Sequence, residues 1–422
     1  MTSPEPREAD LAAPTDKPIL EPRDGIPPVT ETSAGLLDAV RALEAGNGPV
    51  AVDAERASGY RYGQRAYLLQ FHREGSGTWL IDPVALPELT EVQRALDDCE
   101  WVLHAASQDL PCLRERGLAP RRLFDTEVAG RLLGRERVGL GPLVEAELGA
   151  VLEKGHGAAD WSTRPLPQSW LRYAALDVEV LLPLRAILRE DLATTGKTGW
   201  AEEEFEAIRT APAPAARQDP WRRTSGLHTV RGRRQLAIVR ELWNERDDVA
   251  RQRDLSPGRV LPDSALIAAA RAEPSSAQAL QDLKEFRGRG AQRHLRRWWL
   301  ALDRALRLPE ADLPPATLPG DGPPPPRLWA DRDPPAAARL AAARAVLAGL
   351  ADDVGMPVEN LLPPDAVRRL AWTPPAPIEP ESVADRLRTL GAREWQVGLT
   401  GRELAVAMAG ARPEEGGTPP ED

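Results

Sequence analysis

The run Val50-Ala51-Val52-Asp53-Ala54-Glu55 constrains this chain more than any other segment. Its apolar residues read as a strand, and side chains on a strand alternate with a period of two, so Asp53 and Glu55 emerge on one side. Carboxylates that close repel and raise each other's pKa unless a cation shares them. All-oxygen ligands point to magnesium or manganese. Alone, the pair could equally be a solvated strand end. Two later acidic blocks give it a different meaning.

His104 to Asp109 forms the second block, after the strand-like Trp101-Val102-Leu103-His104. Ser107 offers an N-cap that would place Asp109 in the first turn of a helix. The third block is the helical stretch Trp170-Leu171-Arg172-Tyr173-Ala174-Ala175-Leu176-Asp177, in which Tyr173 and Asp177 are four apart and share a face. Asp160-Trp161-Ser162-Thr163-Arg164-Pro165-Leu166 leads directly into it.

Together the three blocks resemble the exonuclease motifs of the DEDDy group, named for four acidic residues and a tyrosine, and are most similar to the ribonuclease D family. The tryptophan-serine-arginine-proline-leucine run is the most specific part. Phe124-Asp125-Thr126 and Lys154 also stand where that family places similar residues. The resemblance covers residues 31 to 210 and continues more weakly beyond. It implies an α/β, ribonuclease H-like exonuclease domain with a mixed sheet flanked by helices.

The same resemblance implies two divalent cations, Mg2+ or Mn2+, roughly 4 Å apart, held by Asp53, Glu55, Asp109 and Asp177, with Tyr173 orienting the attacking water. The implied activity is hydrolytic 3′-5′ exoribonuclease action that releases nucleoside 5′-monophosphates. The implied partner is RNA, as tRNA precursors or other structured RNA 3′ ends. DNA stays open as a substrate, because the group also contains DNA exonucleases. A catalytically inactive nucleic-acid-binding scaffold is the third reading.

At 422 residues and 42% hydrophobic, the chain has material for two or three domains. Its two cysteines, Cys99 and Cys112, lack metal-ligand spacing and read as buried reduced thiols. No apolar stretch is long enough to span a bilayer, and Met1-Thr2-Ser3-Pro4-Glu5-Pro6 has neither a basic nor an apolar leader region. The expectation is a cytoplasmic protein without a membrane partner.

Residues 1–30, rich in Pro, Asp and Glu, read as a disordered tail. The exonuclease domain follows at 31–210, with helices expected over 32–45, 107–116, 125–134, 139–148 and 168–190, the last interrupted at Pro183. Strands are expected near 49–53, 65–71, 78–81 and 100–104. A linker at 211–225 precedes a helical unit at 226–309, whose Leu283-Lys284-Glu285-Phe286-Arg287-Gly288 segment resembles the HRDC (helicase-and-RNase-D C-terminal) module. A Pro-rich linker at 310–335 leads to 336–410, a possible diverged second copy in which Asn360-Leu361-Leu362-Pro363 matches Arg259-Val260-Leu261-Pro262; 411–422 reads as a tail. Few contacts are expected to cross the boundary near Ala213, so truncation there should leave a folded catalytic domain.

Charge is unevenly distributed. The chain carries a net charge of −10, yet residues 221–310 hold 19 Lys and Arg against 11 Asp and Glu. Arg287, Arg289, Arg293, Arg296 and Arg297 form the densest basic cluster, suited to a polyanion. Of the adjacent Trp298 and Trp299, at least one reads as core rather than as a base-stacking platform. Gln70 and His104 are candidates to face nucleic acid in the cleft, against a solvated strand end for Gln70 and a structural role for His104.

Overall fold

The structure, a computed structural model, describes residues 17–153, 155–213, 217–318, 320 and 322–413. The Val50 run lies within β2 (Asn47–Arg56) of a mixed six-stranded sheet. Its companions are β1 (Val29–Thr30), β3 (Ala66–Glu74), β4 (Gly77–Ile81), β5 (Glu100–Leu103) and β6 (Arg122–Asp125), in the order β1-β4-β3-β2-β5-β6. β2, β3 and β4 form an antiparallel meander, whereas β1 on β4, β5 on β2 and β6 on β5 are parallel. The period of two separates the two faces most clearly in β3 and β4. Val50, Val52, Leu69, Phe71 and Ile81 join the core built with α1 (Ser33–Ala45) and α2 (Thr90–Leu96), while Leu68 and Leu80 join the one built with α6 (Gln168–Glu179).

The remaining helices of this domain are α3 (Leu110–Arg114), α4 (Thr126–Leu132), α5 (Leu140–Glu147), α7 (Leu181–Thr194) and α8 (Thr198–Thr210). The expected 168–190 helix is two helices that meet at Val180. Pro183 sits in the first turn of α7, where its missing N–H leaves no helical bond unmade. β1 escapes sequence reading because a two-residue strand carries too little alternation to register, and β6 escapes it as well. Cys99 and Cys112 are buried free thiols, with burial pushing the Cys112 thiol up to about 12.

Two boundaries differ from the sequence expectation. Residues 1–16 lie outside the described residues, but 17–30 are not a free tail: Ile19 bridges Val151, the Arg23 amide donates to Glu179 at 3.0 Å, and Val29–Thr30 completes the sheet. The segments expected to be linkers also contribute to cores. Trp221 and Leu313 close the first helical unit, and Trp329, whose indole donates to the Pro324 carbonyl at 2.7 Å, is fully buried in the second.

The first helical unit comprises α9 (Arg233–Arg253), α10 (Pro257–Val260), α11 (Asp263–Ala272), α12 (Ala277–Asp282), α13 (Arg289–Arg293) and α14 (Leu295–Arg307). The second comprises α15 (Trp329–Arg332), α16 (Pro334–Val354), α17 (Val358–Leu361), α18 (Pro364–Trp372), α19 (Pro380–Thr389) and α20 (Glu394–Gly410). α9 and α16 are both 21 residues long, and both end on a left-handed residue, Asp254 and Gly355. A four-residue helix and an extended leucine, Leu261 or Leu362, follow in each case. The two units thus share this succession of elements.

The two units attach differently. α20 stacks Trp395 on Trp200 of α8 at 4.8 Å and 17°, and the Lys197 ammonium donates to the carbonyls of Leu132 and Val354, each at 2.7 Å. A β-carbon at Gly134 would lie 2.1 Å from the Gly355 carbonyl oxygen, so only glycine permits this approach. The catalytic and C-terminal cores are continuous. The α9 unit docks mainly through polar contacts, with the Tyr62 ring also packed against its core: Tyr62 to Asp247 at 3.1 Å, Arg65 to Asp254 at 2.7 Å, the Ser256 amide to the Tyr60 carbonyl at 2.9 Å and Arg259 to the Gly59 carbonyl at 2.9 Å.

The expectation of a separable catalytic domain is therefore corrected, because truncation near Ala213 would strip a hydrophobic interface and leave the Lys197 ammonium without its Val354 acceptor. Trp395→Ala should lower stability by about 3–5 kcal/mol, as large-to-small changes at buried aromatics do. Denaturant unfolding of the full chain measures this; a change below about 1 kcal/mol, well under that range, would contradict a shared core.

Candidate active site

Asp53 and Glu55 leave β2 on the same side, and α6 brings Asp177 against them. One carboxylate oxygen from each lies within 4.8 Å of the others. Asp109, at the start of α3, lines the same cleft of about 270 Å³ with His104, Arg56 and Tyr173. A larger concavity of about 670 Å³ lies between the N-terminal strap and α6–α7 and contains none of these carboxylates.

The four acids sit in a hostile environment. Glu55 and Asp177 are each 7% exposed and Asp109 is 5% exposed. Burial raises the pKa of all four, and the charge of Asp53 raises the other three further. A converging set of oxygen donors whose ionised form is disfavoured by its own neighbours fits a hard divalent cation.

Ser107 does not cap α3, and Asp109 is not in its first turn. It occupies the cap position of α3 without a capping bond, and its carboxylate instead meets the Arg56 guanidinium at 3.2 Å. Its approach is set by a clamp at Asp125, which accepts the amides of Ala105 and Ala106 at 3.1 and 2.7 Å and those of Glu127 and Val128 at the start of α4. Ala105 adopts a left-handed conformation (φ 56°) that this clamp stabilises. Burial lifts the Asp125 carboxyl to about 6 despite these amides.

Tyr173 lines the cleft beside Asp177 and packs edge-on against His156 at 5.7 Å. Burial, then the charges of Asp177 and Glu55, drive its phenol well above its ordinary pKa, so it is a neutral hydroxyl. His104 places Nδ1 2.9 Å from the Thr126 hydroxyl, and burial lowers its pKa to about 4. The tryptophan-serine-arginine-proline-leucine run proves to be scaffolding. Trp161 is fully buried, and Arg164 ties Asp82 at 2.7 Å to the carbonyls of Tyr67, Trp161 and Thr163. Lys154 lies outside the described residues.

Gln70 emerges on the same face of the sheet as Asp53 but does not line the cleft. It pairs with Asp53 across β2 and β3, is fully buried, and neither its amide nitrogen nor its oxygen finds a partner. The strand that ends at residue 71 in sequence reading runs on to Glu74, so Gln70 is interior. In the basic cluster, Arg289, Arg293 and Arg296 are exposed, Arg287 donates to the Asp282 carbonyl, and Arg297 is engaged by Glu245 at 2.5 Å and Gln252 at 3.2 Å. Trp298 is core, as expected for one of the tryptophan pair. Arg56 was missed by the sequence reading; its position beside Glu55 was the available signal.

Because the four carboxyls and Asp125 have folded-state pKa values above their ordinary ones, the folded chain retains protons that the unfolded chain has released. Their stabilising contribution is complete below about pH 4, near the ordinary carboxylate values, and is lost as pH rises through the raised ones. In chelator, the Tm should therefore fall on this account as pH rises above the ordinary carboxylate range, through about 6 for Asp125 and through the raised values of the four acids, and Asp177→Asn should flatten the fall. Manganese should recover stability at pH 8 more than at pH 5. A chelated melting profile unchanged by Asp177→Asn would contradict this electrostatic account.

Family models describe residues 28–193 as a 3′-5′ exonuclease, 235–302 as an HRDC domain, and 322–408 as a 3′ to 5′ exonuclease C-terminal domain. Ribonuclease D of Escherichia coli is 32% identical over 289 residues, 67% of this chain and 74% of that protein. Ribonuclease D of Shewanella is 33% identical over 240 residues, 56% of this chain and only 61% of its own length. Among solved structures, a protein from Bifidobacterium adolescentis is 37% identical with a TM-score of 0.86, covering 94% of this chain and 100% of that one. Escherichia coli RNase D, described as an exoribonuclease involved in structured RNA processing, superposes with a TM-score of 0.63 at 27% identity over 86% of this chain and 98% of that one. With an exonuclease domain, an HRDC domain and this relationship over both, the chain belongs to the ribonuclease D family.

Proposed function

We propose that the protein is a hydrolytic 3′-5′ exoribonuclease that uses two divalent cations, Mg2+ or Mn2+, and trims structured RNA 3′ ends such as those of tRNA precursors. The observation that carries this reading is the convergence of Asp53, Glu55 and Asp177, with Asp109 in the same cleft. Asp53, Glu55 and Asp177 would hold one cation and Asp109, with Asp53, the other. When bound, the cations would supply an activated water and stabilise the departing 3′ oxygen.

The chain's own groups do the positioning. Tyr173 stays protonated and can orient water but cannot serve as the base. His104, uncharged at neutral pH, offers the cleft a neutral ring. Exposed Arg289, Arg293 and Arg296 give the first helical unit a face for the RNA backbone. Among the described residues no helix is long and apolar enough to cross a membrane.

Asp53→Asn or Asp177→Asn should nearly abolish turnover while leaving the fold intact, and chelator should do the same to the wild type. Wild-type turnover by Asp53→Asn in saturating magnesium would overturn the assignment. Matched RNA and DNA oligomers decide the sugar preference.

Tyr173→Phe should slow single turnover by about 10², the lower end of what orienting groups contribute, with cation binding retained. Arg293→Gln with Arg296→Gln should reduce RNA affinity and the steepness of its salt dependence, since each phosphate contact contributes about 0.7 to the slope on single strands. Unchanged slopes in filter-binding assays would assign those arginines to another partner.

A further inference from the structure

Arg56 ends β2 immediately after Glu55. Strict alternation would send its side chain to the opposite face of the sheet. The pairing of β2 with β3 shifts register between Glu55 and Arg56, an irregularity of the kind that re-aims a side chain. Its guanidinium thus lines the same cleft as Glu55. Nη2 lies 3.2 Å from the Asp109 carboxylate, and Nη1 donates to the Gln108 carbonyl at 2.7 Å. The side chain is 25% exposed, whereas that of Asp109 is 7% exposed. Among the described residues lining the cleft, Arg56 is the one permanent cation.

These contacts give the guanidinium two competing uses. It neutralises Asp109, which otherwise sits buried beside like charges. It also stands open to a cleft that would receive a phosphodiester, the group a guanidinium fork binds best. Asp109 cannot offer the same oxygen at full strength to Arg56 and to a cation.

We propose that Arg56 is the counter-ion of Asp109 in the free protein and a phosphate-binding residue once RNA enters, so that Asp109 becomes available to a cation only when the substrate draws the guanidinium away. The proposal rests on the exoribonuclease reading and deepens it. The cation held by Asp53, Glu55 and Asp177 binds without RNA; the one at Asp109 loads with substrate. Arg56 also shifts three of the four acids toward ionisation, being an attractive charge for Asp53, Glu55 and Asp109.

Calorimetric titration of the full chain with Mn2+ alone tests this, alongside binding of a non-hydrolysable phosphorothioate RNA oligomer in Ca2+. Wild type should bind one Mn2+ per chain tightly without RNA. Arg56→Gln should bind two, or bind the second at least 10-fold more tightly than wild type, yet hold the oligomer about 10-fold more weakly. Arg56→Lys should fall between, since a lysine keeps the charge and loses the fork. Circular dichroism establishes that each variant is folded. If Arg56→Gln matches wild type in both Mn2+ stoichiometry and RNA affinity while Asp53→Asn loses the tight Mn2+, the Arg56 proposal is overturned and the metal reading survives. If Asp53→Asn still binds Mn2+ as wild type does, the metal reading fails and the proposal falls with it.

Discussion

Like-charge repulsion among buried carboxylates is the constraint around which this molecule is arranged. Asp53, Glu55, Asp109 and Asp177 come from three separate elements, and every approach between them is uphill without a compensating cation. Such a group persists only where the surrounding chain leaves it no escape. The sheet supplies this for Asp53 and Glu55, since β2 is hydrogen-bonded on both sides. Asp125 supplies it for Asp109 by collecting four amides around the turn that precedes α3. For Asp177 the support is the packing of α6, with Leu171 and Ala174 set in the core against Leu68 and Leu80.

A second set of charges supports the scaffold rather than the cleft. Burial alone would raise Asp82, but the Arg164 guanidinium and the amides of Val84 and Ala85 outweigh it and hold that carboxyl below its ordinary value. Arg164 thereby ties the segment entering α6 to the edge of the sheet. The contrast between Asp82 and Asp109 is physical: the first receives a guanidinium and two amides, the second receives one guanidinium and several acids.

The helical units have unlike relationships to this scaffold. The C-terminal unit extends the hydrophobic core through Trp395 and Trp200 and cannot leave without exposing it. The HRDC unit grips the 59–65 loop that leaves β2, through backbone groups, Tyr62 and arginines. Its contacts are mostly polar and more readily broken, and the loop they hold lines a neighbouring concavity that shares Glu55 and Arg56 with the cleft.

Much of this was determined locally and could be read in the sequence. The placement of Asp53 with Glu55 follows from strand periodicity, that of Tyr173 with Asp177 from helical periodicity, and the HRDC helices from their apolar stripes. What the sequence could not determine were matters of partnership between distant segments. Nothing in the sequence around Asp125 announces the turn at Ala105 that folds onto it, and Gln70 reads as polar strand end until the fold buries it. Residues 17–30 lack the composition of a core, yet they pair with strands and loops more than 50 residues away. Arg56 points the wrong way by simple alternation, and only the register shift against β3 turns it inward. Periodicity is a property of the backbone and survives in one dimension. Charge compensation, burial and the sharing of a core depend on which surfaces meet, and tertiary structure alone decided that.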